Sequence, residues 1–174
     1  MQRIAAVLVL CSSVRLFAAE PPFNLLDIEH RQPKGRMQDD RSNPVIASVI
    51  SHGKDSIPIL IDLIESERIY SQPPFDFWPQ VKEGDVALAL LSNLFLDPTW
   101  RNSSLPSLCW DNILERETSA TPSWELLYAY VEKHGRQPLA EKWRKAWVTH
   151  QAAIEWDSEG WYFRVNGLEP TPCQ

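Results

Sequence analysis

Gly84-Asp85-Val86-Ala87-Leu88-Ala89-Leu90-Leu91 is the stretch on which the fold turns. Gly84-Asp85 starts a helix whose centre is almost wholly apolar; it runs to Leu96, and Asp97-Pro98 closes it. Toward the N-terminus the same kind of signal begins at Asn43. Asn43 caps a helix with Pro44 at its first position, Val45, Ile46, Val49 and Ile50 on one face, and Gly53 as its stop. Asp55 or Ser56 opens a second helix, through Ile57, Leu60, Ile61, Leu63 and Ile64 to about Arg68. Its consecutive apolar residues imply burial on more than one side.

Toward the C-terminus, Ser103 or Ser104 caps a fourth helix with Leu105, Leu108, Cys109, Ile113 and Leu114 inward. The fifth has Thr121 as cap, Pro122 at its first position and Gly135 past its end, with Trp124, Leu127, Tyr128 and Val131 at spacings of three and four. Pro138 opens the sixth, where Leu139, Trp143, Ala146, Trp147, His150 and Ile154 form a stripe. Glu155-Trp156, a turn at Asp157 to Gly160, and Trp161-Tyr162-Phe163 predict a small C-terminal β-hairpin. Helical hairpins therefore begin near residues 44, 85 and 122, spacings of 41 and 37 residues. HEAT and armadillo units recur at about 40 residues, and about three make a stable stack. The expected class is all-α: a short, degenerate HEAT/armadillo-like stack of about three helical hairpins, or an irregular helical bundle, over residues 44–174. Residues 20–43 read as an N-terminal arm with an apolar cluster at Phe23, Leu25, Leu26 and Ile28.

The 174 residues hold 17 Lys+Arg against 23 Asp+Glu, a formal charge of −6, which lacks the basic footprint of a general nucleic-acid binder. At 44% hydrophobic and 23% charged the chain is globular rather than disordered, and only six glycines argue against a turn-rich β-sandwich. Residues 1–19 read as a secretory signal peptide: Met1-Gln2-Arg3, an apolar run from Ile4 to Leu10, then Ala18-Ala19 before Glu20-Pro21-Pro22. Arg15 and the large Leu16 and Phe17 depart from the usual cleavage pattern. Seven apolar residues are too few for a membrane-spanning helix, which needs about 20. The expected location is periplasmic.

Removing residues 1–19 deletes Arg3 and Arg15, leaving 15 basic against 23 acidic side chains and a charge of −8. It also deletes Cys11 and leaves Cys109 and Cys173, which an oxidising compartment favours as a pair. Closing that 64-residue separation is worth about 4 kcal/mol by chain entropy. The other reading is a buried free Cys109 with a reactive Cys173.

Catalytic chemistry leaves little trace. No C-x-x-C or H-E-x-x-H occurs, and His30, His52, His134 and His150 are widely separated, so no metal is expected. His52 and His134 sit beside glycines at helix ends, where an imidazole complements the helix dipole. No glycine-rich phosphate cradle and no G-x-S-x-G is present, and Cys109 lies on an apolar face rather than at a helix N-terminus beside a base. No cofactor is expected. Asp39, Asp40, Asp62, Glu65 and Glu67 are the carboxylates from which a glycosidase-like pair would have to come, and acidic residues on helices are usually solvated.

What remains is surface. The loop at residues 70–79 carries Tyr70, Phe75, Phe77 and Trp78 on a backbone stiffened by Pro73, Pro74 and Pro79. Rigid aromatics are over-represented among interface hot spots; the same four residues would equally cover the first two helices. Arg101-Asn102-Ser103-Ser104-Leu105-Pro106-Ser107 is a second candidate edge.

An exported, acidic, helical-repeat chain without catalytic motifs resembles the periplasmic immunity proteins of type VI secreted cell-wall amidases. The resemblance is one of profile: signal peptide, size, helices over residues 44–154 and missing enzyme motifs, with Gly84–Leu91 similar to a segment in small HEAT-like bacterial envelope proteins. It implies a non-enzymatic inhibitor that binds a papain-like Cys/His peptidoglycan amidase and pushes a loop into its substrate groove. Loop 70–79 would then be the anchor, and Ser71, Ser103 or Ser104 would hydrogen-bond near the toxin's thiol. A charge of −8 would speed encounter with a basic amidase. A homodimer fits the profile as well as a monomer. The rival expectations are an envelope adaptor and a carboxylate-dependent envelope hydrolase.

Overall fold

The structure is a computed structural model and describes residues 21–29, 35–72, 74, 80–114 and 123–173. The segment read as a signal peptide, residues 1–19, lies outside them, as do His30, Phe75, Phe77, Trp78, Pro79, Thr121 and Pro122.

The chain is mostly helical, with two small antiparallel sheets. Helix α1 spans Pro44–Ser51, and Asn43 caps it as expected, its Oδ1 accepting from the N–H groups of Val45 (3.0 Å) and Ile46 (3.3 Å). Gly53, at φ +56°, turns the chain into α2, Ser56–Leu63, whose Ile57, Leu60 and Ile61 are buried. Helix α3, Glu83–Leu94, is buried along nearly its whole length. It is apolar all round because it is enclosed all round. Helix α2 lies against it, as do the 3-10 turns Leu25–Asp27 and Met37–Asp39 and strand β3, Tyr162–Val165. Residues 21–29 and 35–43 therefore contribute to the core, with Phe23, Leu25, Ile28 and Gln38 buried.

Three helices differ from the sequence reading; one of them, the sixth, ends at His150, so that Ile154, expected on its apolar stripe, begins a strand instead. Helix α2 stops at Leu63 rather than near Arg68, because the backbone beyond it bonds elsewhere: Ser66 and Arg68 carbonyls accept from the N–H groups of Gly84 (3.2 Å) and Glu83 (2.8 Å). The fourth helix does not begin at Ser103 or Ser104. Asn102–Ser103 is strand β1, followed by a 3-10 turn at Pro106–Leu108 and a one-turn helix α4, Trp110–Ile113. The backbone there is engaged elsewhere: the Phe95 carbonyl takes the Ser104 N–H (3.1 Å), and Ser103 pairs with Thr171 and Leu96.

Helices α5, Ser123–His134, and α6, Gln137–His150, meet at Gly135 (φ +76°), with Pro138 in the first turn of α6. Leu139 and Trp143 of α6 are buried, and Phe95 packs on Trp143 and Phe163, each at 5.7 Å between ring centroids. The expected hairpin is present: β2, Ile154–Asp157, pairs with β3 from Ile154–Val165 to Asp157–Tyr162. The other sheet was not anticipated. Strand β4, Thr171–Pro172, returns to pair with β1, and Cys109 and Cys173 are joined in a disulfide, their Cα atoms 5.6 Å apart.

Candidate interaction surface

Tyr70, Ser103 and Ser104, expected at a partner surface, are inside the molecule. Tyr70 is buried because its hydroxyl donates to the Leu25 carbonyl and its ring joins the core; burial, with Glu83 next, pushes its pKa far up. Ser104 donates to the Phe163 carbonyl at 2.6 Å, and Ser103 Oγ accepts from the Leu105 N–H at 3.0 Å. Both hydroxyls are satisfied where water is excluded, which is structural work. Ser71 is exposed. Phe75, Phe77 and Trp78 lie outside the described residues.

What the edge near Ser103 does display is the turn before it. Asp97 Oδ1 accepts from the Thr99 N–H (3.0 Å) and hydroxyl (2.7 Å), and Asp97 Oδ2 from Asn102 Nδ2 (2.8 Å). Burial alone would raise the Asp97 pKa; the bonds from Thr99 and Asn102 outweigh it and hold the carboxyl below its ordinary value. The turn is closed by the Trp100 N–H on the Asp97 carbonyl (3.0 Å) and fastened at its far side by the Cys173 N–H on the Arg101 carbonyl (3.0 Å). Trp100 is 52% exposed at its tip. Asp97-Pro98 signals a helix end; an Asp accepting from the residue two further on also signals a closed turn, and that signal points to Trp100.

The carboxylates are largely committed to cations. At the start of α3, Glu83 and Asp85 are wholly buried. Glu83 accepts from Ser66 Oγ (2.6 Å) and, bidentate, from Arg68 Nε (2.8 Å) and Nη2. Asp85 accepts from the Lys82 N–H (2.8 Å) and Arg136 Nη2 (2.6 Å), and Glu67 accepts from Arg136 Nε (2.8 Å) and Lys82 Nζ. Burial raises the Asp85 pKa, opposed by Arg136 and the Lys82 N–H; the Lys82 bond leads in lowering that of Glu67. Asp62 and Glu65 both hold Arg144 (3.2 and 2.7 Å), and Asp39 holds Arg36 (2.8 Å). Carboxylates whose oxygens are already engaged by cations and N–H donors are poorly placed to reach a substrate.

His52 sits at the end of α1, with Nδ1 2.8 Å from the Ser48 carbonyl, and His134 stacks on Tyr130 at 4.7 Å at the end of α5. Among the described residues no three His, Cys, Asp or Glu gather as a metal site, and no helix is long and apolar enough to cross a membrane. An open groove of about 650 Å³ lies beside the Leu25–Asp27 turn, walled by Pro21, Pro22, Phe23, Pro44 and Val45 with Asp27 and Arg68 as its charged lining. No family model, no curated protein and no solved structure matches the chain, so its surface is read from its own geometry.

Proposed function

We propose that this chain is an exported, non-enzymatic protein-binding module that acts as an immunity protein, occluding the active site of a Cys/His cell-wall amidase. One observation carries the reading: the Asp97–Asn102 turn holds a half-exposed tryptophan on a backbone fixed from both sides. A preformed aromatic tip loses little freedom on docking and is the kind of group that dominates interface energetics. The disulfide behind it suits an oxidising compartment. Carboxylates already engaged by guanidinium groups speak against a carboxylate-dependent hydrolase. In this reading the helical hairpins form the degenerate HEAT-like scaffold, and the tip at Trp100 joins residues 71–79 of the loop, without the buried Tyr70, as the inserted element.

The test is to mix the oxidised chain with a Cys/His peptidoglycan amidase encoded beside it, following complex mass by light scattering and hydrolysis of purified sacculi. A joint complex with lost hydrolysis, weakened by Trp100→Ala, is expected. Separate migration with hydrolysis unchanged would remove the inhibitor reading.

A further inference from the structure

Among the described residues, the two non-glycine positions with left-handed backbone are both tryptophans, Trp100 (φ 63°) and Trp161 (φ 55°). Bulky side chains rarely adopt that conformation, and such strain persists only where the surroundings over-determine it. Here the surroundings do so twice in the same way. The Trp161 N–H donates to the Asp157 carbonyl (2.8 Å), while Asp157 Oδ1 accepts from the N–H groups of Glu159 (2.9 Å) and Gly160 (2.8 Å). This resembles the Asp97 turn that carries Trp100 but is one residue longer, Trp161 being the fourth residue after its Asp and Trp100 the third.

The two turns are neighbours with a common fastening. Buried Arg36 donates from Nη1 to the Leu96 carbonyl (2.8 Å), just before the first turn, and from Nη2 to the Gly160 carbonyl (2.9 Å), inside the second. Gly160 and Pro98 lie so close that a Cβ on Gly160 would sit 3.4 Å from the Pro98 ring. The Trp100 ring rests where Gly35 has no side chain, 3.1 Å from the place a Cβ would occupy. The Arg41 guanidinium lies over the Trp161 ring at 3.5 Å.

The charges on this face are unequal in their freedom. Asp97 and Asp157 are bonded into their own turns, and Asp39 is held by Arg36; Glu159, exposed in the second turn, is the acidic exception. Arg41 and Arg101 are exposed, and neither meets a carboxylate among the described residues. A guanidinium stacked on an aromatic ring keeps its edge donors available and oriented for a carboxylate.

We propose that this two-turn face binds a segment of a protein partner that carries a carboxylate beside an apolar or aromatic side chain. The carboxylate is received by Arg41 or Arg101, and the apolar group lies against Trp100. The proposal rests on the protein-binding reading but not on the amidase, since the recognition chemistry belongs to the face itself.

The experiment is to pan a phage-displayed random dodecapeptide library against the full, oxidised chain and measure synthetic versions of the enriched peptides by calorimetry. Enriched sequences should share Asp or Glu next to Trp, Phe or Leu. Arg41→Glu and Arg101→Glu should each weaken them about tenfold, with thermal unfolding unchanged in Arg101→Glu and lowered only slightly in Arg41→Glu, which loses its stacking on Trp161. Trp100→Ala should abolish binding. Absence of enrichment, peptides lacking acidic residues, or affinities indifferent to both arginine variants would overturn the proposal. So would co-sedimentation with purified sacculi lost in Trp100→Ala without any acidic peptide selected, which would assign the face to a glycan. A chain that selects acidic peptides yet ignores the amidase loses only the immunity reading. One that inhibits an amidase but selects none loses only this one.

Discussion

The two ends of helix α3 solve opposite electrostatic problems. At its start the helix dipole favours negative charge, and Glu83 and Asp85 supply it, buried and matched by Arg68 and Arg136. At its far end the Asn93 carbonyl accepts from the Gln38 amide (2.7 Å), and just beyond the helix Arg36 donates to the Leu96 carbonyl while reaching the hairpin through Gly160. The first arrangement directs its donors and acceptors at one another and locks the fold. The second directs one guanidinium at backbone carbonyls of two turns and so fixes what those turns present to solvent. Buried charge serves stability at one end and display at the other.

The sharpest way to break that contrast is to remove one partner of the inner cluster. Asp85→Ala leaves Arg136 buried without its closest carboxylate, with only the half-exposed Glu67 to balance it. Deleting one member of a buried pair costs about 3–5 kcal/mol, so urea unfolding should shift strongly to lower denaturant. The double change Asp85→Leu with Arg136→Met should recover much of the loss, since buried pairs are replaceable by packed apolar groups. A small effect of Asp85→Ala alone would mean that the cluster is solvated and not a lock.

Next in size is the disulfide, which belongs to the display end. Cys173→Ser removes the cross-link over a separation of 64 residues and should cost about 2–4 kcal/mol. Its distinctive consequence is local. With β4 released, the Arg101 carbonyl and the β1 edge lose their partners, so amide exchange should rise around residues 100–103 before it rises in α3. Equal acceleration in both places would show that the two ends are one cooperative unit.

Gly84→Ala should follow, at about 1–3 kcal/mol or more. A Cβ there would lie 2.2 Å from the Ile64 carbonyl oxygen and 2.9 Å from that of Ser66, both backbone and unable to move alone. Binding through Trp100 should survive in whatever fraction remains folded.

Much of the helical frame is legible in the sequence because caps are local chemistry: Asn43-Pro44 at α1, Gly135 and Pro138 around the α5–α6 turn, and Asp157 to Gly160 in the hairpin. The functional surface is less legible, for a physical reason. Tyr70 reads as an exposed aromatic among prolines, yet its hydroxyl finds a carbonyl 45 positions earlier. Ser104 reads as a helix cap, yet it serves a carbonyl 59 positions later. Arg36, in a segment read as an arm, reaches Gly160 across 124 positions. Polar partners at such separations leave no periodicity; the tryptophan turns do carry a local sign, an Asp three or four positions earlier, but their common fastening by Arg36 does not.

The smallest predicted effect on stability tests display most directly. Asp97→Ala removes the acceptor for Thr99 and Asn102 at a half-exposed site, so the global cost should be about 1 kcal/mol, far below that of Asp85→Ala. The carboxyl sits below its unfolded value of 3.8. Its stabilisation is therefore complete above that pH and is lost as pH falls through the folded value. In wild type, amide exchange at Trp100, referenced to α3, should accelerate on that acid limb and stay level above it. In Asp97→Ala the same ratio should already be high and lose its acid limb. If the variant kept wild-type protection at Trp100, the disulfide and Arg36 would suffice to hold the turn, and Asp97 would be incidental to what this end of the molecule presents.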